Sequence, residues 1–342
     1  MKKIVNLLFA VLLSIVVQAQ FQDRDPFITK SFSNESIREV YARTSGGSIS
    51  ITGGNEQARV EVFIKGNNGR SLSKEEIKER LEEDYKLVIA VDGNELKVTA
   101  EPKDKFFNWK RALSISFNVY VPQQVSTDLG TSGGSISMLN LSGTHNFSTS
   151  GGSLNLDKLS GRIRGRTSGG SIDVSNTKDN IDLQTSGGSI DADNCYGTVS
   201  LSTSGGAIKL NKLQGSIKAN TSGGPINGSY IKGKLTAHTS GGGVHLHDLE
   251  CSVDASTSGG SMDVEINKLE EYVTLHNSGG NIRVTLPSNK GLDLNLRGDR
   301  ISLENMSNFS GNKEDHKVEG KINGGGVPID IRTSGKVTVA LN

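Results

Sequence analysis

Thr167-Ser-Gly-Gly-Ser-Ile-Asp-Val174 returns almost unchanged, one period on, as Thr185-Ser-Gly-Gly-Ser-Ile-Asp-Ala192. The triplet Ser-Gly-Gly begins at Ser132, Ser150, Ser168, Ser186, Ser204, Ser222, Ser240 and Ser258, so the interval never varies. A further copy begins at Ser278 after a slightly longer step, and an earlier one at Ser45. Self-similarity at a fixed period marks a repeat architecture and is read before any other feature.

With the triplet's serine at offset zero, apolar side chains recur at +4 and +6, as in Ile172 and Val174, Ile190 and Ala192, and Ile208 and Leu210. They recur at +13 and +15, as in Ile181 and Leu183, Val199 and Leu201, and Val253 and Ala255. A spacing of two is the strand period. Each repeat therefore reads as two short strands joined by two corners. One corner is Ser-Gly-Gly, where glycine is expected to supply positive φ. The other carries an apolar side chain at +9 (Leu141, Leu159, Cys195, Leu213) and glycine at +11 (Gly143, Gly161, Gly197, Gly215). The threonines at +17, Thr131 to Thr257, continue the inward alternation and should stack into a ladder. One such turn cannot bury its own apolar face, so turns must stack. Eight turns at ~4.8 Å give a rod of about 40 Å.

The fold class expected is all-β: a parallel β-solenoid, or β-helix, with 18-residue two-strand turns, one short N-terminal helix and capped ends. Residues 132–277 form its regular part. Residues 20–131 read as wider turns and a cap, with strands over 58–64, 87–91, 96–100 and 113–121. Ser73-Lys-Glu-Glu76 reads as a capping box opening a helix over 73–84. Residues 278–342 read as terminal turns and a cap, with strands over 282–286, 292–296, 327–331 and 336–341 and a polar loop over 307–317.

Lys2 and Lys3 precede an apolar run from Ile4 to Val17, and Val17-Gln-Ala19 offers small side chains at a cleavage site. This reads as a signal peptide over 1–19, too short for a membrane span. The expected location is therefore periplasm, cell surface or medium, with no transmembrane segment in the mature chain. The 38 basic and 37 acidic residues leave a net charge of +1, which supplies no global attraction for nucleic acid. Two cysteines in an exported chain invite a disulfide. Cys195 and Cys251, however, lie three turns apart, ~14 Å in this register, against the roughly 7 Å that a disulfide spans. Two free thiols are expected.

The recurring Thr-Ser-Gly-Gly-Ser-Ile, with a leader and a strand-rich entry ending in Val119-Tyr-Val-Pro122, resembles the bacterial putative-adhesin family. That family is a domain of unknown function built of Ser-Gly-Gly β-strand repeats, and the resemblance spans about residues 36–341. It implies the architecture and carries over no catalytic residue.

Candidate chemistry sits on the outward positions. At +5 and +7, Asp157, Asp173, Asp191 and Asp193 stand beside Asn155 and Asn211, a patch that could bind a cation or sugar. His238, His245 and His247 lie close in sequence, but no third zinc ligand is evident beside the pair at 245 and 247. Calcium-binding nonapeptides are excluded because their glycine slot holds Ile136, Ile172 or Ile190. An ice-binding threonine array is excluded because the threonines face inward, while the outward side chains at +14 and +16 are of mixed type. No P-loop, dinucleotide fingerprint or nucleophile elbow has its required context. No catalytic, cofactor or metal residue is assigned, and no cofactor is expected. The reading is a non-enzymatic adhesin or envelope scaffold whose partner is unknown, with surface carbohydrate and envelope protein as the classes compatible with it. The alternatives are a carbohydrate-active β-helix enzyme and a periplasmic partner of a regulatory or export system.

Overall fold

The computed structural model describes residues 25–33, 35–67, 72–104 and 109–342. The expected leader, 1–19, lies outside them. Among the described residues the fold is all-β apart from the α-helix Lys74–Asp84 and the 3-10 turn Trp109–Arg111. Its parallel ladders are set by the repeat. Ile172 pairs with Ile190, Ile190 with Ile208, Ile208 with Ile226, and Ile226 with Val244. A second column runs Ile163, Ile181, Val199, Ile217, Leu235, Val253. Each rung of either column is one full sequence repeat from the next. In both columns the side chains alternate between buried and outward, and the inward sets meet in one core. Each aliphatic side chain so buried is worth roughly 1.5–3 kcal/mol.

The Ser-Gly-Gly corner differs from its expectation in one respect. None of its glycines has φ in the left-handed region. The constraint is close approach instead. A Cβ on Gly188, the second glycine of its triplet, would lie 2.1 Å from the Gly170 carbonyl oxygen one repeat below. On the first glycine, Gly187, the nearest atom is the Ser168 oxygen at 3.5 Å, an ordinary contact. Left-handed backbone is found at the other corner. Position +8 adopts it in every regular turn from Asn140 (φ 56) through Asn176 (φ 50) and Asn194 (φ 53) to Asp248 (φ 55). Asparagine and aspartate tolerate that region best among residues with a side chain. Lys158, Lys212 and Tyr230 adopt it too, so the stack imposes it. At +11 the glycines are also left-handed, Gly197 at φ 109, and Asp179 fills that slot in one turn at φ 82. Its carboxylate compensates by accepting from the Gly161 N–H at 2.9 Å.

The buried threonines join successive corners. Thr203 Oγ1 donates to the Gly188 carbonyl of the preceding turn at 2.8 Å and accepts from the Gly206 N–H of its own turn at 3.3 Å. The same pair of bonds recurs at Thr149, Thr167, Thr185, Thr221, Thr239 and Thr257.

Both ends of the stack are built out of sequence order. The early triplet at Ser45 seats directly beneath the one at Ser132: Glu39–Thr44 pairs with Ser126–Thr131, and Ile49 with Ile136. Thr131 Oγ1 donates to Gly47 O at 2.8 Å, so the ladder continues across a long gap in sequence. Glu95–Pro102 and Leu113–Val121 lie beneath that layer. Antiparallel strands Ile28–Phe32, Ala58–Gly66 and Tyr85–Asp92 finish the end. The helix packs there through buried Ile77 and Leu81, with the Ser73 hydroxyl capping the Glu76 N–H.

At the other end Val327–Thr333 inserts between the strand ending at Asn277 and Leu292–Arg297. Lys336–Leu341 inserts likewise between Ile282–Leu286 and Arg300–Glu304. Asn277 stands in the threonine slot, donating to Gly260 O at 2.7 Å, and Thr333 donates to Gly280 O. The segment expected as a polar loop over 307–317 contains a strand, Phe309–Lys313, antiparallel to Lys317–Ile322. It is an edge strand that buries almost nothing, so its sequence lacks apolar alternation.

The corner geometry makes opposite predictions for adjacent glycines. Gly188→Ala should lower the free energy of unfolding in urea by about 3 kcal/mol through the backbone clash. Gly187→Ala should stay within about 0.5 kcal/mol of the parent. Equal losses at the two positions would remove close approach as the reason for the second glycine.

Candidate functional site

The short strands of each repeat present +5 and +7 outward as two columns. The +5 column runs Asn155, Asp173, Asp191, Lys209 and Asn227. The +7 column runs Asp157, Ser175, Asp193, Asn211 and Ser229. Asp173 and Asp191 are therefore direct neighbours, whereas Ser175 separates Asp157 from Asp193. Between the columns runs a shallow furrow of about 480 Å³, with Leu139 exposed near its lower end.

Most of these polar groups are bonded to the next turn. Ser175 Oγ and Asn176 Nδ2 donate to Asp157 Oδ1 at 2.9 and 2.7 Å. Asn211 Nδ2 donates to Asp193 Oδ1 at 2.5 Å, and Ser229 Oγ to Asn211 Oδ1 at 3.1 Å. Lys209 stands 4.0 Å from Asp191, and Lys158 the same distance from Asp157. Among the described residues no group of three histidine, cysteine, aspartate or glutamate side chains is arranged to hold a metal ion.

The three histidines are not brought together. His245 and His247 share the furrow's face, with His247 Nδ1 3.8 Å from Glu265 Oε2. His238 belongs to the long-strand column, where its Nδ1 lies 2.6 Å from Ser256 Oγ. Both cysteines are free and buried. Cys195 fills the +9 slot, and burial pushes its thiol up to about 11 and that of Cys251 to about 12. Neither is a thiolate at neutral pH, so neither is a nucleophile.

The opposite, long-strand face carries Arg162, Arg164 and Arg166 outward from one strand. Arg164 Nε is 3.5 Å from Asp182 Oδ2.

A buried imidazole is not among the residues the sequence reading singles out. His145 fills the +13 slot held by Ile163 and Ile181 in the next turns, and it is fully buried. Its Nδ1 lies 3.1 Å from Thr127 Oγ1, and its Nε2 has no hydrogen-bond partner. Burial lowers its pKa from 6.5 to about 4. Completing the +13 column in the sequence reveals it.

Residues 226–340 match the family described as Toastrack DUF4097. No curated protein is similar to the chain in sequence. A "putative adhesin" from Parabacteroides distasonis is 14% identical, with 92% of this chain and 96% of that one covered and a TM-score of 0.33. A "putative adhesin" from Parabacteroides merdae is 12% identical, with 92% and 95% covered and a TM-score of 0.32. A "putative lipid binding protein" from Parabacteroides distasonis is 9% identical, with 94% and 98% covered and a TM-score of 0.27. Superposition at these scores transfers neither fold nor activity.

His145 predicts an acid-sensitive core. The unfolded chain takes up this proton near pH 6.5 and the folded chain only near 4, so stability is intact above 6.5 and falls as pH drops toward 4. At about pH 4.5 the loss from this residue should be about 2.5 kcal/mol. His145→Ile, matching its column, should flatten that part of the stability–pH curve in urea titrations. Parallel curves for parent and variant would exonerate His145.

Proposed function

We propose, taking residues 226–340 as a Toastrack domain, that this chain is an exported, non-enzymatic β-solenoid of 18-residue two-strand turns acting as an adhesin or envelope scaffold. The observation that carries this reading is the unbroken register of the repeats. From Ser132 to Ser258 the triplets keep one constant interval with no inserted loop to wall in either face. A polysaccharide-cleaving site needs walls that hold a sugar against its carboxylates, with the reacting groups positioned to within a fraction of an ångström. The carboxylates Asp157 and Asp193 instead accept hydrogen bonds from adjacent turns, which suits a structural face. Export rests on the leader-like start of the sequence. The name carried by the Parabacteroides proteins agrees with an adhesin but does not carry the proposal.

The competing reading is a carbohydrate-active enzyme on the furrow. It is favoured by the adjacency of Asp173 and Asp191. Protease shaving of intact cells, with fractionation, should find the protein outside the cytoplasm, and a polysaccharide panel should release no reducing sugar. Release that disappears in Asp173→Ala plus Asp191→Ala would replace this reading with the enzymatic one. Retention in the cytoplasm would end the adhesin proposal.

A further inference from the structure

The two outward faces carry opposite charge at overlapping heights along the stack. On the short-strand face Asp157, Asp173, Asp191 and Asp193 fall within three consecutive repeats, and the nearby cations Lys158 and Lys209 stay at 4.0 Å. On the long-strand face Arg162, Arg164 and Arg166 project in one row from the repeat that also carries Asp157. All three are exposed; in the next repeat exposed Lys178 pairs in register with Ser160 and exposed Asp179 with Gly161, so those two charges offset each other and the row itself carries the positive charge. Asp182 stands beside Arg164, the one member of the row in an ion pair among the described residues.

We propose that the protein packs side by side with further copies of itself, the arginine row of one copy lying against the aspartate furrow of the next. Three features select a second copy as the occupant. The cationic complement to the furrow is present on this same chain. It overlaps the furrow in height, sharing the repeat that carries Asp157, so a neighbour displaced sideways without rotation brings the two patches together. Both faces share the ~4.8 Å axial repeat of stacked strands, so a shift of one turn sets the single-turn arginine row level with Asp173, midway between Asp157 and Asp191. Arginine suits the contact because its planar fork binds carboxylates in pairs. The exposed Leu139 adds an apolar contact beside the acidic residues.

Because the two patches differ, the contact is heterologous and leaves an unused patch at each end. Such contacts extend into open rows unless a rotation closes them. This inference goes beyond the adhesin or scaffold reading and is independent of it, since rows could form on a surface or within the envelope.

The test uses the purified protein in sedimentation velocity across a range of concentrations. At about 50 mM NaCl the average mass should grow with concentration. At about 1 M NaCl, where the screening length falls to ~3 Å, it should return to the monomer. The variant R162Q/R164Q/R166Q loses one face, and D157N/D173N/D191N/D193N loses the other. Each alone should remain monomeric at low salt. Mixed, they should form a one-to-one pair that grows no further, because each contributes one intact face. Formation of that pair also shows both variants to be folded. A parent that is monomeric at every concentration at low salt overturns the proposal. So does association that persists in either variant, or a mixture of the two that stays monomeric.

Discussion

A threonine hydroxyl that bridges two glycine corners is the interaction on which the stack depends. Each inward threonine donates to the carbonyl of the second glycine below and accepts from the N–H of the second glycine in its own turn. Those backbone groups sit at a corner, where the strand ladders have ended and leave donors and acceptors unpaired. A buried group left in that state costs about 1–3 kcal/mol. The hydroxyl fills both vacancies, while its methyl continues the apolar alternation. The second glycine is required by the same arrangement, because the corners stack backbone on backbone with no room for Cβ. Threonine and glycine are thus two halves of one device, which explains why they recur together.

The device also organises the ends. Gly47 accepts from Thr131, and Gly280 from Thr333, although neither pair belongs to consecutive repeats. Layers that are distant in sequence are recruited by presenting the same corner. Asn277 shows that another side chain with one donor and one acceptor can serve: its amide donates to Gly260 O, and its oxygen accepts from the Gly279 and Gly280 N–H groups.

Much of this was legible because a strict period turns one repeat's pattern into a three-dimensional neighbour list. Ile172, Ile190 and Ile208 in one column, the inward threonines, Cys195 in its apolar slot and the two free thiols all follow from it. The reading failed where the deciding contact is not periodic. Nothing local in Ser45 shows that its turn seats beneath Ser132, since the intervening strands close a long excursion. The edge strand Phe309–Lys313 has no buried face to impose alternation. Glycine tolerates positive φ, the conformation a Ser-Gly-Gly corner suggests, but the steric limit there comes from a neighbouring turn that local sequence does not show. For the outward faces the period specified which side chains align, as with Asp173 and Asp191, but not that Asp157 and Asp193 are engaged by Ser175, Asn176 and Asn211. Those bonds depend on rotamers and on the left-handed corner at Asn176.

The most direct test of the threonine bridge separates its hydroxyl from its methyl at one mid-stack position. Thr203→Val keeps the shape and removes both hydrogen bonds, whereas Thr203→Ser keeps the hydroxyl and removes the methyl. Urea unfolding should show Thr203→Val destabilised by about 2–3 kcal/mol, since one donor and one acceptor lose their partner. Thr203→Ser should lose about 1 kcal/mol, the value of one buried methyl. A serine variant as unstable as the valine variant would show that packing, and not the hydroxyl bridge, holds the corners together.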